Sequence, residues 1–144
     1  MSAPQLPTGS QPRLRVLVYS DNADTRSAVR MAVGRRPASD VPRVEWLECA
    51  TPAAVVSAMD ERRVDLAILD GEASPIGGLG LCRQLKSEIY RCPPVLVLLG
   101  RPQDSWLAAW SLADNAVLHP LDPAAVAAAV AELARTLAVA AAPQ

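Results

Sequence analysis

The chain has 144 residues, a length that suits one compact domain with a real core and little else. Although 51% of the residues are apolar, no run is long and apolar enough to read as a membrane span. The formal net charge is −1 and no Lys/Arg block occurs, so nothing resembles a nucleic-acid footprint.

Residues 1–12, Met1 to Pro12, are rich in Pro, Gln, Ser and Gly and lack a basic or apolar signal region. They read as a disordered tail and not a signal peptide, which makes the expected location cytoplasmic. Arg13 to Tyr19 (RLRVLVY) is a buried strand that runs into the polar Ser20-Asp21-Asn22. Ala23 to Val33 is a helix, with Asp24 near its start and Gly34 as its stop. Arg35 to Pro42 is a polar connection. Val44 to Ala50 is a second strand, and Thr51-Pro52 opens a helix to about Arg62. Val64 to Leu69 (VDLAIL) is a third strand, with Asp70 at its carboxyl end. A loop over Gly71 to Gly78 leads to a helix over Leu79 to Ile89. Pro94 to Leu99 is the most apolar strand, and Gln103 to Leu112 a short helix. Asn115 to Leu118 is a short fifth strand closed by His119-Pro120. Asp122-Pro123 caps a last helix to about Ala138, with Val126, Val130, Leu133 and Leu137 along one stripe.

Five successive β-then-α units predict an α/β domain. Its expected form is a five-stranded parallel sheet, doubly wound, of (βα)5 flavodoxin-like type. The domain spans residues 13–138, with tails at 1–12 and 139–144. In such sheets the ligand site lies beyond the carboxyl ends of the strands, where the strand order reverses. Asp21 and Asp70 are expected there. Two carboxylates at strand ends attract a hard cation, and Mg2+ needs only one or two of them with a carbonyl and a phosphate. Such an ion would neutralise a phosphoryl group passed to an aspartate oxygen. The plain alternative is that Asp and Asn often end strands because they accept turn hydrogen bonds.

The four segments VLVYSDN, VDLAILD, PPVLVLL and LADNAVLHPLDP, in this order and spacing, resemble the response-regulator receiver domain, typified by the single-domain chemotaxis regulators. The resemblance covers about Arg13 to Leu137. It implies that Asp70 is the phosphoacceptor and that Asp21 is one of the acidic pair holding Mg2+. The third metal contact it implies is the Glu72 backbone carbonyl. Pro120 matches the Pro that follows a cis peptide bond, which would aim His119, at the usual Lys position, into the site.

The departures from the family pattern are specific. The other acidic member is replaced by Ser20; in a register shifted by one, Asn22 is the neutral member instead. Either way Mg2+ binding should be weak. The Glu72 side chain is expected to point to solvent. Leu99 stands where the family has its switch Ser/Thr and has no hydroxyl to bond a phosphoryl oxygen. His119 replaces a full positive charge. Ala116 stands at the switch aromatic. With Leu99 and Ala116, the usual differential contact between two states is missing.

Cys49, Cys82 and Cys92 form no close pair, so each reads as a small hydrophobe and not a disulfide or zinc ligand. Trp106 and Trp110 share a helix face; one is expected to cover the core edge and the other to meet a partner. Ala125, Ala128 and Ala129 would permit close helix approach, as in a dimer, or simply reflect helix propensity. Gly77-Gly78-Leu79-Gly80 has no P-loop Lys and reads as a flexible loop. The expected function is that of a stand-alone receiver, not an enzyme, phosphorylated by a sensor histidine kinase. The alternatives are a phosphorylation-independent adaptor and, last, a small flavodoxin-like cofactor-binding enzyme.

Overall fold

The computed structural model describes residues 12–74 and 76–141. The tail read at 1–12 therefore lies outside the described residues except for Pro12. The strands are β1 (Arg13–Tyr19), β2 (Arg43–Cys49), β3 (Leu66–Asp70), β4 (Val95–Leu99) and β5 (Asn115–Leu118). The helices are α1 (Ala23–Val33), α2 (Pro52–Asp60), α3 (Gly78–Glu88), α4 (Ser105–Trp110) and α5 (Pro123–Ala141). The strands form one sheet in the order β2-β1-β3-β4-β5, and every pairing is parallel.

Alternation along β1 builds the two cores. Leu14, Val16 and Val18 face α1 and α5, where they meet Val29, Val126 and Val130. Leu17 and Tyr19 face the other way, toward Val55, Met59, Leu81 and Leu85 of α2 and α3. β3 and β4 are buried along their whole length, as strands covered on both faces must be. Each fully buried Val, Leu or Ile contributes about 1.5–3 kcal/mol, which lets a chain without Phe build a core.

Local signals act as the sequence suggests at several element ends. At α1 the structure adds a cap the sequence reading did not assign: the Asn22 side chain accepts from Asp24 N at 2.8 Å. Thr51 Oγ1 accepts from Ala54 N at 3.2 Å, and Asp122 Oδ1 accepts from Ala124 N at 3.1 Å. Each satisfies one of the orphan N–H groups of a helix start. Gly34 ends α1 at φ 69°.

Other boundaries differ from the sequence reading. α2 stops at Asp60 because Arg62 turns left-handed at φ 59°, while Arg63 N bonds Ala58 O at 3.1 Å. α4 ends the same way, with Leu112 at φ 66° and Ala113 N on Ala108 O. Both are Schellman closures made without glycine. The expected helix over Gln103 to Leu112 is thus a 3-10 turn at Pro102–Asp104 followed by six residues of α4. β3 begins at Leu66 and not Val64. There the Asp65 carboxylate, in place of a backbone carbonyl, takes the Arg15 N–H at 2.8 Å. β2 begins and ends one residue early. β4 starts at Val95, and α3 starts and ends one residue early. α5 continues to Ala141, three residues past the expected end. No helix among the described residues is long and apolar enough to cross a membrane.

Candidate functional site

The sheet order reverses between β1 and β3, and the residues at their carboxyl ends face one another. β1 ends at Tyr19, paired with Leu69, so Ser20 follows beside Asp70. Both are buried, Ser20 at 0% exposure and Asp70 at 4%. The Ser20 hydroxyl donates to Asp70 Oδ2 at 2.8 Å, and Ser20 Oγ accepts the Asn22 N–H at 3.1 Å. Ser20 is therefore the neutral residue facing Asp70, while Asn22 is spent on capping α1.

The other oxygen of Asp70 is also occupied. Oδ1 accepts the Glu72 N–H at 3.0 Å and lies 3.4 Å from His119 Nε2. The His119–Pro120 peptide is cis, and the His119 N–H is held by Leu99 O at 2.8 Å. No buried side-chain polar atom among the described residues lacks a partner. That closure matters because an unpaired buried carboxylate is costly.

Asp21 is exposed and reaches sideways, where its Oδ1 accepts the Ser74 N–H at 3.1 Å. It thus ties the end of β1 to the β3–α3 loop. Glu72 is exposed, as expected, with its side chain folded back along the surface. Its carboxylate lies over Gly100, where a Cβ would collide with it. Gly78 is required for a different reason: a Cβ there would sit 2.8 Å from the backbone of Asp70 and Leu69. The first turn of α3 is packed directly against the end of β3.

Leu99 is buried in the core on the α3 face, and Ala116 packs partly against the same cluster. No hydroxyl or aromatic side chain stands at either position. Trp106 and Trp110 are both exposed, at 66% and 47%. The expectation that one covers the core edge is therefore wrong. α4 is only six residues long and buries none of them. Arg83 stacks over the Trp110 ring at 4.9 Å instead. Cys49 and Cys82 are buried, and Cys92 is half-buried.

Sequence reasoning missed two supporting groups. Tyr19 is fully buried, and its hydroxyl donates to Ile76 O at 2.6 Å, a second tie on the β3–α3 loop. Burial pushes this phenol above its ordinary pKa, with Asp21 and Asp70 adding to the effect. Arg26 donates to the Ser20 carbonyl at 2.6 Å and to Glu48 at 2.9 Å. A Tyr closing an apolar strand, where its hydroxyl must find a partner, was the available signal for the first. The second had no local signal.

The oxygen atoms suited to a cation are the carboxylates of Asp21 and Asp70 and the Glu72 carbonyl. This set meets the minimum for Mg2+, which keeps its own waters. No group of three His, Cys, Asp or Glu side chains converges among the described residues. The residue beside Asp70 on β1, Ser20, is uncharged and adds no carboxylate.

No protein-family model matches the chain. It is 52% identical over 126 residues to a response regulatory protein found in two strains of Mycobacterium tuberculosis, covering 88% of this chain and 95% of the relative. Its fold is similar to an AraC-type two-component transcriptional regulator from Clostridium phytofermentans, with a TM-score of 0.73 at 18% identity, over 91% of this chain and 99% of that one. It is also similar to the signal receiver domain of NarL from Mycobacterium tuberculosis, at 0.68 and 23% over 85% and 97%. A CheY-like receiver from Methanospirillum hungatei gives 0.67 and 16% over 87% and 96%. With a parallel five-stranded sheet and a buried aspartate at the end of β3, the chain belongs to the response-regulator receiver family of two-component signalling.

Proposed function

We propose that Asp70 accepts a phosphoryl group from a sensor histidine kinase, and that the domain answers without the usual hydroxyl-and-aromatic switch. One observation carries this reading. Asp70 is a buried carboxylate at the reversal point of the sheet, and the Ser20, Glu72 and His119 donors converge on its two oxygens. Asp70 supplies the nucleophilic oxygen. The Glu72 N–H and His119 orient Oδ1, and the Ser20 hydroxyl orients Oδ2. A bound Mg2+ on Asp21, Asp70 and the Glu72 carbonyl would supply charge neutralisation for the phosphoryl oxygens. With Ser20 in place of a carboxylate, that ion would be held weakly. Leu99 and Ala116 offer phosphate no differential contact, so β4 and β5 respond little.

A second reading is favoured by the exposed pair Trp106 and Trp110. In it the domain is an adaptor that docks a protein partner without phosphorylation, its internal hydrogen bonds holding one state.

Intact-mass measurement separates the two. The protein is incubated with Mg2+ and a small phosphodonor, and then with histidine kinases. Gain of one phosphoryl group by the wild type, absent from Asp70→Asn, is the expected result. No adduct under either condition rejects phosphorylation and leaves the adaptor.

A further inference from the structure

We propose that the end of the sheet opposite Asp70 holds a binding site for a compact, free phosphate anion, formed by Arg13, Arg36 and Arg43. Arg13 opens β1 and Arg43 opens β2, and the two are direct neighbours in the parallel register. Adjacent strands lie about 4.8 Å apart, and like charges directly opposite each other are destabilising. Arg36 comes from the connection after α1. Its neighbour Arg35 accepts the Val44 N–H at 2.8 Å, which fixes this turn against the start of β2. A cavity of about 210 Å³ is lined by these three arginines and by Pro12 and Pro42. None of the lining residues is acidic.

The cluster is distinctive within the molecule. Every Asp and Glu of the chain lies among the described residues, and none forms an ion pair with Arg13, Arg36 or Arg43. Among the described residues, every other arginine except Arg35 meets a carboxylate, a backbone carbonyl or an aromatic ring. The nearby acids do not fill the gap. Asp40, in the same connection, is held by Arg135 through two bonds of 2.7 and 2.9 Å. Glu45, two residues beyond Arg43, stands opposite Arg15.

An anion is the missing partner. Guanidinium groups present rigid forks that match phosphate oxygens two at a time. The two prolines stiffen the rim. A concave site of this size admits an orthophosphate or a diphosphate. A flat membrane surface or a nucleic-acid duplex would reach only the rim.

The test is calorimetric titration of the full chain with pyrophosphate in Mg2+-free buffer at fixed ionic strength. The proposal expects one site per chain and a rise in Tm of about 3–5 °C at saturation. Arg43→Gln and Arg36→Gln each lose about tenfold or more in affinity, whereas Arg91→Gln, which does not line the cavity and stacks on Tyr90, binds as wild type. Arg43→Gln also melts no lower than wild type without the anion, since a like-charge pair is gone. The proposal is overturned if pyrophosphate does not bind, or if Arg91→Gln weakens it equally. It is equally overturned if vesicles containing phosphatidic acid, but not pyrophosphate, engage the cluster.

Discussion

The Ser20 hydroxyl is the buried partner of Asp70, donating to Oδ2 at 2.8 Å while its own oxygen accepts from Asn22 N. A neutral group thus holds one oxygen of the buried carboxylate by hydrogen bonding. Ser20→Ala leaves Asp70 Oδ2 and the Asn22 N–H without this partner. It should destabilise the fold by about 1–3 kcal/mol. Ser20→Asp places a second carboxylate beside Asp70. Without metal it should also be destabilised, but its Mg2+ affinity should rise about tenfold or more. Chemical denaturation with and without Mg2+ reads both effects. Equal Mg2+ affinity in wild type and Ser20→Asp would show that Ser20 is not the missing ligand position.

Two glycines near the site should tolerate a methyl group to different degrees. At Gly78 the added Cβ meets the backbone of Asp70 and Leu69 at 2.8 Å, and neither can move without displacing α3 from β3. Gly78→Ala should cost about 1–3 kcal/mol and impair any chemistry at Asp70. At Gly100 the added Cβ meets only the end of the Glu72 side chain, which can swing away. Gly100→Ala should cost less than about 1 kcal/mol. Thermal melts of the two variants make the comparison.

The cysteines should be inert in the folded protein. Burial pushes the Cys82 thiol up to about 11, and burial raises Cys49 and Cys92 as well. The thiolate is the reactive form, so a thiol reagent at neutral pH should label the native protein slowly. Addition of denaturant should release all three cysteines to fast labelling. Rapid native labelling of Cys82 would contradict its packing between α3 and the sheet.

The ion pairs on Glu48 tie α1 to β2 and give one acid-sensitive contribution. The Arg26 hydrogen bond, and then Arg30, hold the Glu48 carboxyl below its ordinary pKa of 4.5, against burial, which raises it. A depressed carboxyl stabilises the fold above its unfolded pKa, and that stability is lost as pH falls through the folded value. Glu48 is 36% exposed, so screening limits the effect to about 0.5 kcal/mol. Glu48→Gln should therefore be less stable than wild type at pH 7. The difference should close as pH drops below about 4.5.

The fold was legible because its signals are local and repeated. Apolar β-branched runs end in polar turns, and Thr51-Pro52 and Asp122-Pro123 announce helix starts. Asp70, at the end of such a run, could be placed from sequence for the same reason. Helix ends were less legible at Arg62 and Leu112, because a left-handed residue without glycine carries no compositional mark. The partners of Asp70 were half legible. Ser20 and His119 follow from order along the chain. The Tyr19 and Arg26 bonds depend on where a loop and a neighbouring strand come to rest. The convergence of Arg13, Arg36 and Arg43 was invisible as a block in sequence, since two strands and a turn assemble it.

The exposure of Trp106 and Trp110 on α4 gives the molecule an intrinsic optical reporter. Of its three tryptophans, only Trp46 lies elsewhere, on β2 at the far edge of the sheet. Emission from the α4 pair should therefore be red and open to collisional quenchers, with the Arg83 guanidinium over one face of Trp110. Anything that docks on this helix, whether a kinase or another protein, announces itself as a blue shift without a label being added.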